Sequence, residues 1–175
     1  MNQRLLSFAL LSILTPLSLA QSGGWGENCP LRTLSNTEQK CGPASHAHSP
    51  AFCNSSVTVT PPSGSRACTA NIGFGRLKVN KGVDPAVIFW NLKNSRGQAR
   101  FDASTGIAVL TDPDAQMFGG QLINDKKFQV SDLNSIAAAA GREVTYEAHV
   151  WWRANGTAEW QKCCPIDPKI VNDGP

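Results

Sequence analysis

The sequence lacks the charge pattern and the apolar segments that define two large functional classes. Its net charge is only +3, and its basic residues are scattered, with Lys126-Lys127 as the only adjacent pair. A nucleic-acid-binding domain needs a concentrated basic face, so no nucleic-acid partner is expected. The longest apolar run lies within residues 1–20 and is shorter than the ~20 residues that span a bilayer. No membrane anchor is therefore expected.

The motifs of several common enzyme classes are also missing. The sequence contains no Gly-x-Ser-x-Gly elbow and no His-Glu-x-x-His motif. Asp112 and Asp114 flank Pro113, which is typical of a turn. A glycosidase needs two carboxylates held across a cleft, and no pair in this chain is marked as such. The sequence favours a non-enzymatic protein, with a small hydrolase as the least favoured alternative.

The N-terminal residues have the pattern of a secretory signal peptide. Arg4 supplies a positive charge, residues 5–14 are almost wholly apolar, and Ser18 and Ala20 place small residues before Gln21. This arrangement predicts a signal peptide over residues 1–20, and a mature protein that is secreted or periplasmic.

Six cysteines lie in the part of the chain predicted to be exported. An even number of cysteines in an oxidising compartment indicates disulfides, and their spacing differs from the paired Cys-x-x-Cys of zinc sites. The pairing is left open. Adjacent cysteines form a strained ring if they bond to each other, so each of the last two is expected to pair with a separate cysteine in the N-terminal third. The predicted disulfide cysteines are Cys29, Cys41, Cys53, Cys68, Cys163 and Cys164.

The remaining sequence predicts an all-β protein with one domain. Residues 21–56 are rich in Gly, Ser, Asn and Pro, and are expected to form an irregular leader tied down by disulfides. Residues 57–175 contain about seven to eight short strand patterns separated by turn signals. This predicts a single antiparallel β-sandwich, immunoglobulin-like, or a small barrel. One short helix is expected over residues 131–140, where four alanines follow possible capping residues.

A strand predicted over residues 143–153 organises the candidate binding site. Val144, Tyr146, Ala148, Val150 and Trp152 alternate with polar residues, which is typical of a half-buried strand. The polar face includes Trp151, and Trp160 follows on a returning strand. Exposed indoles stack on sugars or anchor protein interfaces, so we expect a protein or glycan to bind here. The alternative is that the leader packs over Trp151 and buries it. The candidate binding residues are Trp151, Trp160, Arg153 and Glu147.

The three histidines offer an alternative function. His46 and His48 are separated by one residue, so in an extended segment both imidazoles face the same side. His149, on the polar face of the long strand, is a possible third ligand. Imidazole suits copper or zinc, and the alternative function is therefore a metal-binding exported protein. If His46 and His48 are instead solvated loop residues, no cofactor is expected.

From Ala86 onward the chain resembles small, uncharacterised exported proteobacterial domains. The resemblance covers about half the chain and implies a compact β-sandwich in an exported protein. It implies no activity, and it does not include the cysteine-rich leader or the adjacent cysteines. It is carried by Phe89-Trp90, by Arg100-Phe101 before Gly106-Ile107, by Phe118, by Phe128-Gln129-Val130 leading to Asn134, by Tyr146, and by Asp167-Pro168-x-Ile170-x-Asn172.

Overall fold

A computed structural model of the chain describes residues 29, 36–42, 51–80, 83, 85–93, 96–135, 137 and 143–174. The predicted signal peptide, residues 1–20, lies outside these ranges. So does much of the predicted leader. Across the described ranges the secondary structure is strand, turn and irregular chain, without a helix. No helix in this part of the chain is therefore long and apolar enough to cross a membrane.

Thirteen strands make up the described fold. They are β1 (Glu38–Cys41), β2 (Ala51–Thr60), β3 (Thr69–Ile72), β4 (Arg76–Val79), β5 (Ala86–Lys93), β6 (Gln98–Phe101), β7 (Ile107–Thr111), β8 (Met117–Asn124), β9 (Lys127–Asp132), β10 (Val144–Ala148), β11 (Val150–Arg153), β12 (Gln161–Lys162) and β13 (Lys169–Asn172).

The strands form three sheets, and none of the three closes into a barrel. Sheet 1 has the order β1-β4-β13-β10-β7, sheet 2 has the order β3-β2-β5-β9-β8, and sheet 3 has the order β12-β11-β6. The prediction of a purely antiparallel arrangement is wrong. β2 pairs with β5 in parallel, and β4 has parallel neighbours on both sides. The all-β class is confirmed, with more strands than the seven to eight predicted.

The inner faces of the sheets share one hydrophobic core. Trp90 of sheet 2 and Tyr146 of sheet 1 pack edge to face, with ring centroids 5.2 Å apart. Phe101 of sheet 3 lies 6.1 Å from the ring of Phe128 in sheet 2. In β2, β5 and β10 every second side chain is buried. Their apolar residues recur with period two, so an extended chain places them all on the face that packs against the core.

The structure differs from two predictions, that of a short helix and that of an irregular leader. The short helix predicted over 131–140 is not found where that segment is described, because Ser131 and Asp132 complete β9 and pair with β5. Ala137 makes an isolated bridge to Asp173, and the other positions after 135 lie outside the described residues. The predicted leader also contains regular structure: β1 lies within it, and β2 crosses its end at residue 56. At Ser131 and Asp132, pairing with β5 overrides the capping preference that predicted a helix start.

All six cysteines form disulfides, as predicted. The pairs are Cys29–Cys164, Cys41–Cys53 and Cys68–Cys163. The adjacent cysteines 163 and 164 do pair with separate partners, although Cys68 lies beyond the N-terminal third. Two bridges therefore connect early parts of the chain to the segment that follows β12. Three disulfides are typical of an oxidising, extracellular environment.

The long predicted strand divides at His149. Residues up to Ala148 form β10 in sheet 1, and residues from Val150 form β11 in sheet 3. His149 itself is buried, as are the residues on either side of it. The alternation predicted from the sequence survives the break, since Val150 and Trp152 still point into the core.

Candidate functional site

Sheet 3 places a set of polar and aromatic side chains on one outward face. In its register Trp151 lies opposite Arg100 of β6 and opposite Lys162 of β12, while Arg153 lies opposite Gln98. The alternate residues of β11 and β6 are buried in the core, so these side chains point outward. Trp160 immediately precedes β12. We call this set the sheet 3 face: Gln98, Arg100, Trp151, Arg153, Trp160 and Lys162.

Both tryptophans of the sheet 3 face contact cations. The guanidinium carbons of Arg100 and Arg153 lie 4.3 Å and 4.4 Å from the ring centroid of Trp160. The ammonium of Lys162 lies 5.2 Å from the ring of Trp151. Trp151 and Trp160 are not in ring contact with each other. A cation over an indole is attracted by the ring quadrupole, by ~0.5–1 kcal/mol at exposed positions. The face is therefore an alternation of cations and indoles.

Hydrogen bonds hold Arg153 in place. Its Nε donates to Gln98 Oε1 at 2.7 Å, and one terminal nitrogen donates to the carbonyl oxygen of Gly156 at 2.9 Å. The turn that supplies this carbonyl is fixed by Asn155, whose Oδ1 accepts bonds from the backbone and hydroxyl of Thr157. Among the described residues, neither Arg100 nor Arg153 forms an ion pair with a carboxylate.

Gly97 sets the path of the chain into β6. Its φ is +93°, a left-handed conformation that L side chains rarely adopt, and an added Cβ would lie 2.6 Å from the carbonyl oxygen of Arg153. The close approach lets the indole nitrogen of Trp152 donate to the carbonyl of Arg96 at 2.9 Å. Glycine at this position therefore lets β6 pair with β11 and bring Arg100 beside Trp151.

Asp102, at the end of β6, orients Trp151. The indole nitrogen of Trp151 donates to Asp102 Oδ2 at 2.8 Å, and Oδ1 accepts bonds from the backbone and hydroxyl groups of Ser104 and Thr105. Burial alone would raise the pKa of Asp102, but the bonds from Trp151, Ser104 and Thr105 hold that pKa well below its ordinary value. Asp102 is therefore an ionised anchor that fixes the indole plane.

A cavity of about 250 Å³ adjoins Trp151. It opens beside the sheet 3 face and is lined by Arg100, Phe101, Asp102, Ala103, Ser104, Leu122, Asp125 and Trp151. Trp151 is half-buried by these neighbours, so it is neither fully exposed nor sealed into the core. The cavity wall combines one cation, two carboxylates and an indole, which is suited to a polar ligand with a flat apolar side.

Glu147 and His149 are connected to the sheet 3 face through other side chains: Thr105 contacts both His149 and Asp102, and Asp102 accepts the hydrogen bond from Trp151. Glu147 belongs to β10 of sheet 1, whereas Trp151 belongs to sheet 3, and its role as a binding residue stays a prediction. Its Oε2 is 2.9 Å from His149 Nε2, and His149 Nδ1 is 2.9 Å from Thr105 Oγ1. His149 was expected on a polar surface, but only 7% of it is exposed because the strand changes sheets there.

The Thr105, His149 and Glu147 side chains have the order of a hydroxyl, a base and an acid. Catalysis of acyl transfer also needs hydrogen-bond donors, from the backbone or from side chains, directed at a developing oxyanion. The two nearby N–H groups, of Ser104 and Thr105, both donate to Asp102. These contacts hold the loop from 102 to 106 against the junction of β10 and β11, and the hydrolase alternative stays a prediction.

The metal hypothesis stays a prediction. His46 and His48 lie outside the described residues, and His149 has both ring nitrogens at hydrogen-bond distance from side chains. Within the part of the chain that is described, no three His, Cys, Asp or Glu residues are grouped so as to hold a metal ion.

Sequence reasoning missed Arg100, Lys162 and Asp102. Strand pairing places Arg100 and Lys162 opposite Trp151. Asp102, the residue that follows β6, accepts the hydrogen bond from the indole nitrogen of Trp151. A hint was present in β6, where Gln98 and Arg100 alternate with Ala99 and Phe101. The pairing partner of that strand is not encoded in its own alternation.

The chain was compared with known proteins. No protein-family model matches it, and no curated protein matches it in sequence. The resemblance to exported proteobacterial domains consequently stays a prediction.

Proposed function

We propose that this protein is an exported, non-enzymatic binding module whose partner, a protein or a glycan, binds to the sheet 3 face. One observation carries the proposal: Trp151, on sheet 3, and Trp160, just before β12, alternate with Arg100, Arg153 and Lys162 on one outward face. Tryptophan and arginine are the side chains most enriched at binding hot spots, because each combines a large contact surface with a polar group.

The hydrogen bonds that hold Trp151 and Arg153 in place favour binding over a purely structural role. Arg153 is fixed by Gln98 and by the turn at Gly156, and Trp151 is fixed by Asp102. Side chains that are already held in place lose little conformational entropy when a partner binds. Arg100 and Arg153 are not neutralised by an ion pair with any described residue. The face therefore offers ordered positive charge to a partner.

Export to the periplasm or to the outside of the cell is part of the proposal. Three disulfides suit an oxidising compartment, and the N-terminal sequence has the pattern of a signal peptide.

Site-directed photo-crosslinking tests the proposed binding face. A photoreactive side chain replaces Glu159, which is exposed and adjacent to Trp160, or in a matched control Glu38, which is exposed on β1. Each protein is mixed with the exported proteins and, separately, with the envelope polysaccharides of the source organism. We expect adducts from position 159, lost when Trp160 is changed to Ala, and none from position 38. Equal adducts from both positions would refute the proposal.

A further inference from the structure

The sheet 3 face carries charge of one sign. Of the six residues that define the face, the ionisable ones are Arg100, Arg153 and Lys162, and all three are cations; the exposed Glu159, next to Trp160, is the one acidic residue that adjoins the set in sequence. Arginine presents a planar fork of donors that matches a carboxylate or a sulfate with two parallel hydrogen bonds. Charge complementarity therefore favours an anionic ligand.

The cavity beside the face carries the opposite charge. Asp102 and Asp125 line it together with Ser104, next to Arg100 and Trp151. Both oxygens of Asp102 already accept hydrogen bonds, which keeps this carboxylate ionised. A ligand with phosphates along its whole length would place some of them against these carboxylates. A ligand that carries hydroxyl groups as well as anions would meet acceptors there instead.

The face offers no large exposed aliphatic side chain. The exposed large hydrophobic residues of the described chain all lie elsewhere in the fold: Phe52, Val109, Leu110, Phe118, Ile123 and Leu133. Protein interfaces generally have an apolar centre from which water is excluded. On the sheet 3 face the only apolar surface is that of the two indoles, and such flat rings are suited to sugar rings.

From these three observations we propose that the ligand is an acidic polysaccharide. Its carboxylate or sulfate groups bind Arg100, Arg153 and Lys162, and its sugar rings lie against Trp151 and its hydroxyls in the adjoining cavity. This inference rests on the proposed function, in that it names the ligand class for the same face.

Binding of defined polymers to the disulfide-bonded exported protein tests the inference. The probes are polygalacturonate, hyaluronate, neutral dextran and a single-stranded oligonucleotide, with affinity measured by biolayer interferometry at physiological salt. We expect both acidic polysaccharides to bind more tightly than the oligonucleotide, and dextran not to bind. Arg100→Gln removes a charge that has only a ring contact, and should weaken binding about tenfold.

Two further variants complete the design. Lys162→Gln removes a second cation of the face and should also weaken binding. Lys40→Gln makes the same chemical change on β1, at an exposed position outside the face, and should bind like the wild type. Thermal melts of the three variants establish that each one folds.

Three results would overturn the inference: oligonucleotide binding as tight as polysaccharide binding, unchanged affinity in both folded face variants, or no binding to either acidic polysaccharide. If the last result came with specific cross-links from position 159, the ligand class would be wrong and the proposed function would stand. If those cross-links were missing too, both proposals would fail.

Discussion

We predict that Asp132 makes the stability of this protein depend on pH in a direction opposite to that of most carboxylates. It lies fully buried at the end of β9, where its Oδ1 accepts hydrogen bonds from the backbone of Asn134 and from Asn172 Nδ2. Its Oδ2 and the Oδ1 of Asn172 are both buried without a hydrogen-bond partner among the described residues. A proton on Asp132 Oδ2 would let it donate to Asn172, so the two side chains would form a closed acid–amide pair.

The magnitude follows from the pKa. Burial raises the pKa of Asp132 from 3.8 to about 6, against the opposing hydrogen bonds from Asn134 and Asn172, and the nearby Asp112 raises it further. The unfolded chain therefore loses this proton near pH 4 and the folded chain near pH 6. The contribution of the neutral carboxyl is fully present below pH 4 and is lost as pH rises to 6. About two pH units correspond to about 3 kcal/mol.

Asp132→Asn removes this titration while keeping the shape of the side chain. The amide oxygen can accept the same two bonds, and the amide nitrogen can donate to Asn172 at any pH. We expect the free energy of unfolding of the variant, relative to wild type, to rise by about 3 kcal/mol between pH 4 and pH 7. Urea denaturation followed by tryptophan fluorescence, with the disulfides intact, measures this difference.

Asp167→Asn is the matched control, because Asp167 is exposed and forms no ion pair within the described residues. Its stability should follow that of the wild type over the same pH range. A constant stability difference between Asp132→Asn and wild type from pH 4 to pH 7 would refute the reasoning, since it would mean that Asp132 titrates alike in the folded and unfolded chains.

Two other changes test the core and the sheet 3 face. In the wild type the indole N–H of Trp90 donates to the Tyr146 hydroxyl at 3.2 Å. Tyr146→Phe leaves this buried N–H without its acceptor and should lower the free energy of unfolding, measured by urea denaturation, by about 1–3 kcal/mol. A loss of stability too small to measure would contradict this. Gly97→Ala should lower the melting temperature more than Gly64→Ala. Both glycines have a positive φ, a conformation that destabilises alanine by about 1–2 kcal/mol. Of the two, only Gly97 has backbone atoms in the place that the new Cβ would take. Equal melting temperatures would show that the close approach at Gly97 relaxes freely.

Local patterns in the sequence determined a large part of the structure. Alternation in residues 144–152 predicted which side chains of β10 and β11 are buried, because period two is a property of any extended chain. The even number of cysteines predicted disulfides.

The tertiary structure alone decided which strands pair and which side chains meet. The change of sheets at His149, the parallel pairing of β2 with β5, and the strand at Ser131 in place of a helix all depend on partners distant in sequence. For the same reason, the sequence could name Trp151, Trp160 and Arg153 as candidates for the site, whereas their neighbours Arg100, Lys162 and Asp102 could be named only from the structure. A strand's own alternation fixes which face a side chain occupies, but the side chains across from it are fixed by register, which is set by the packing of the whole fold.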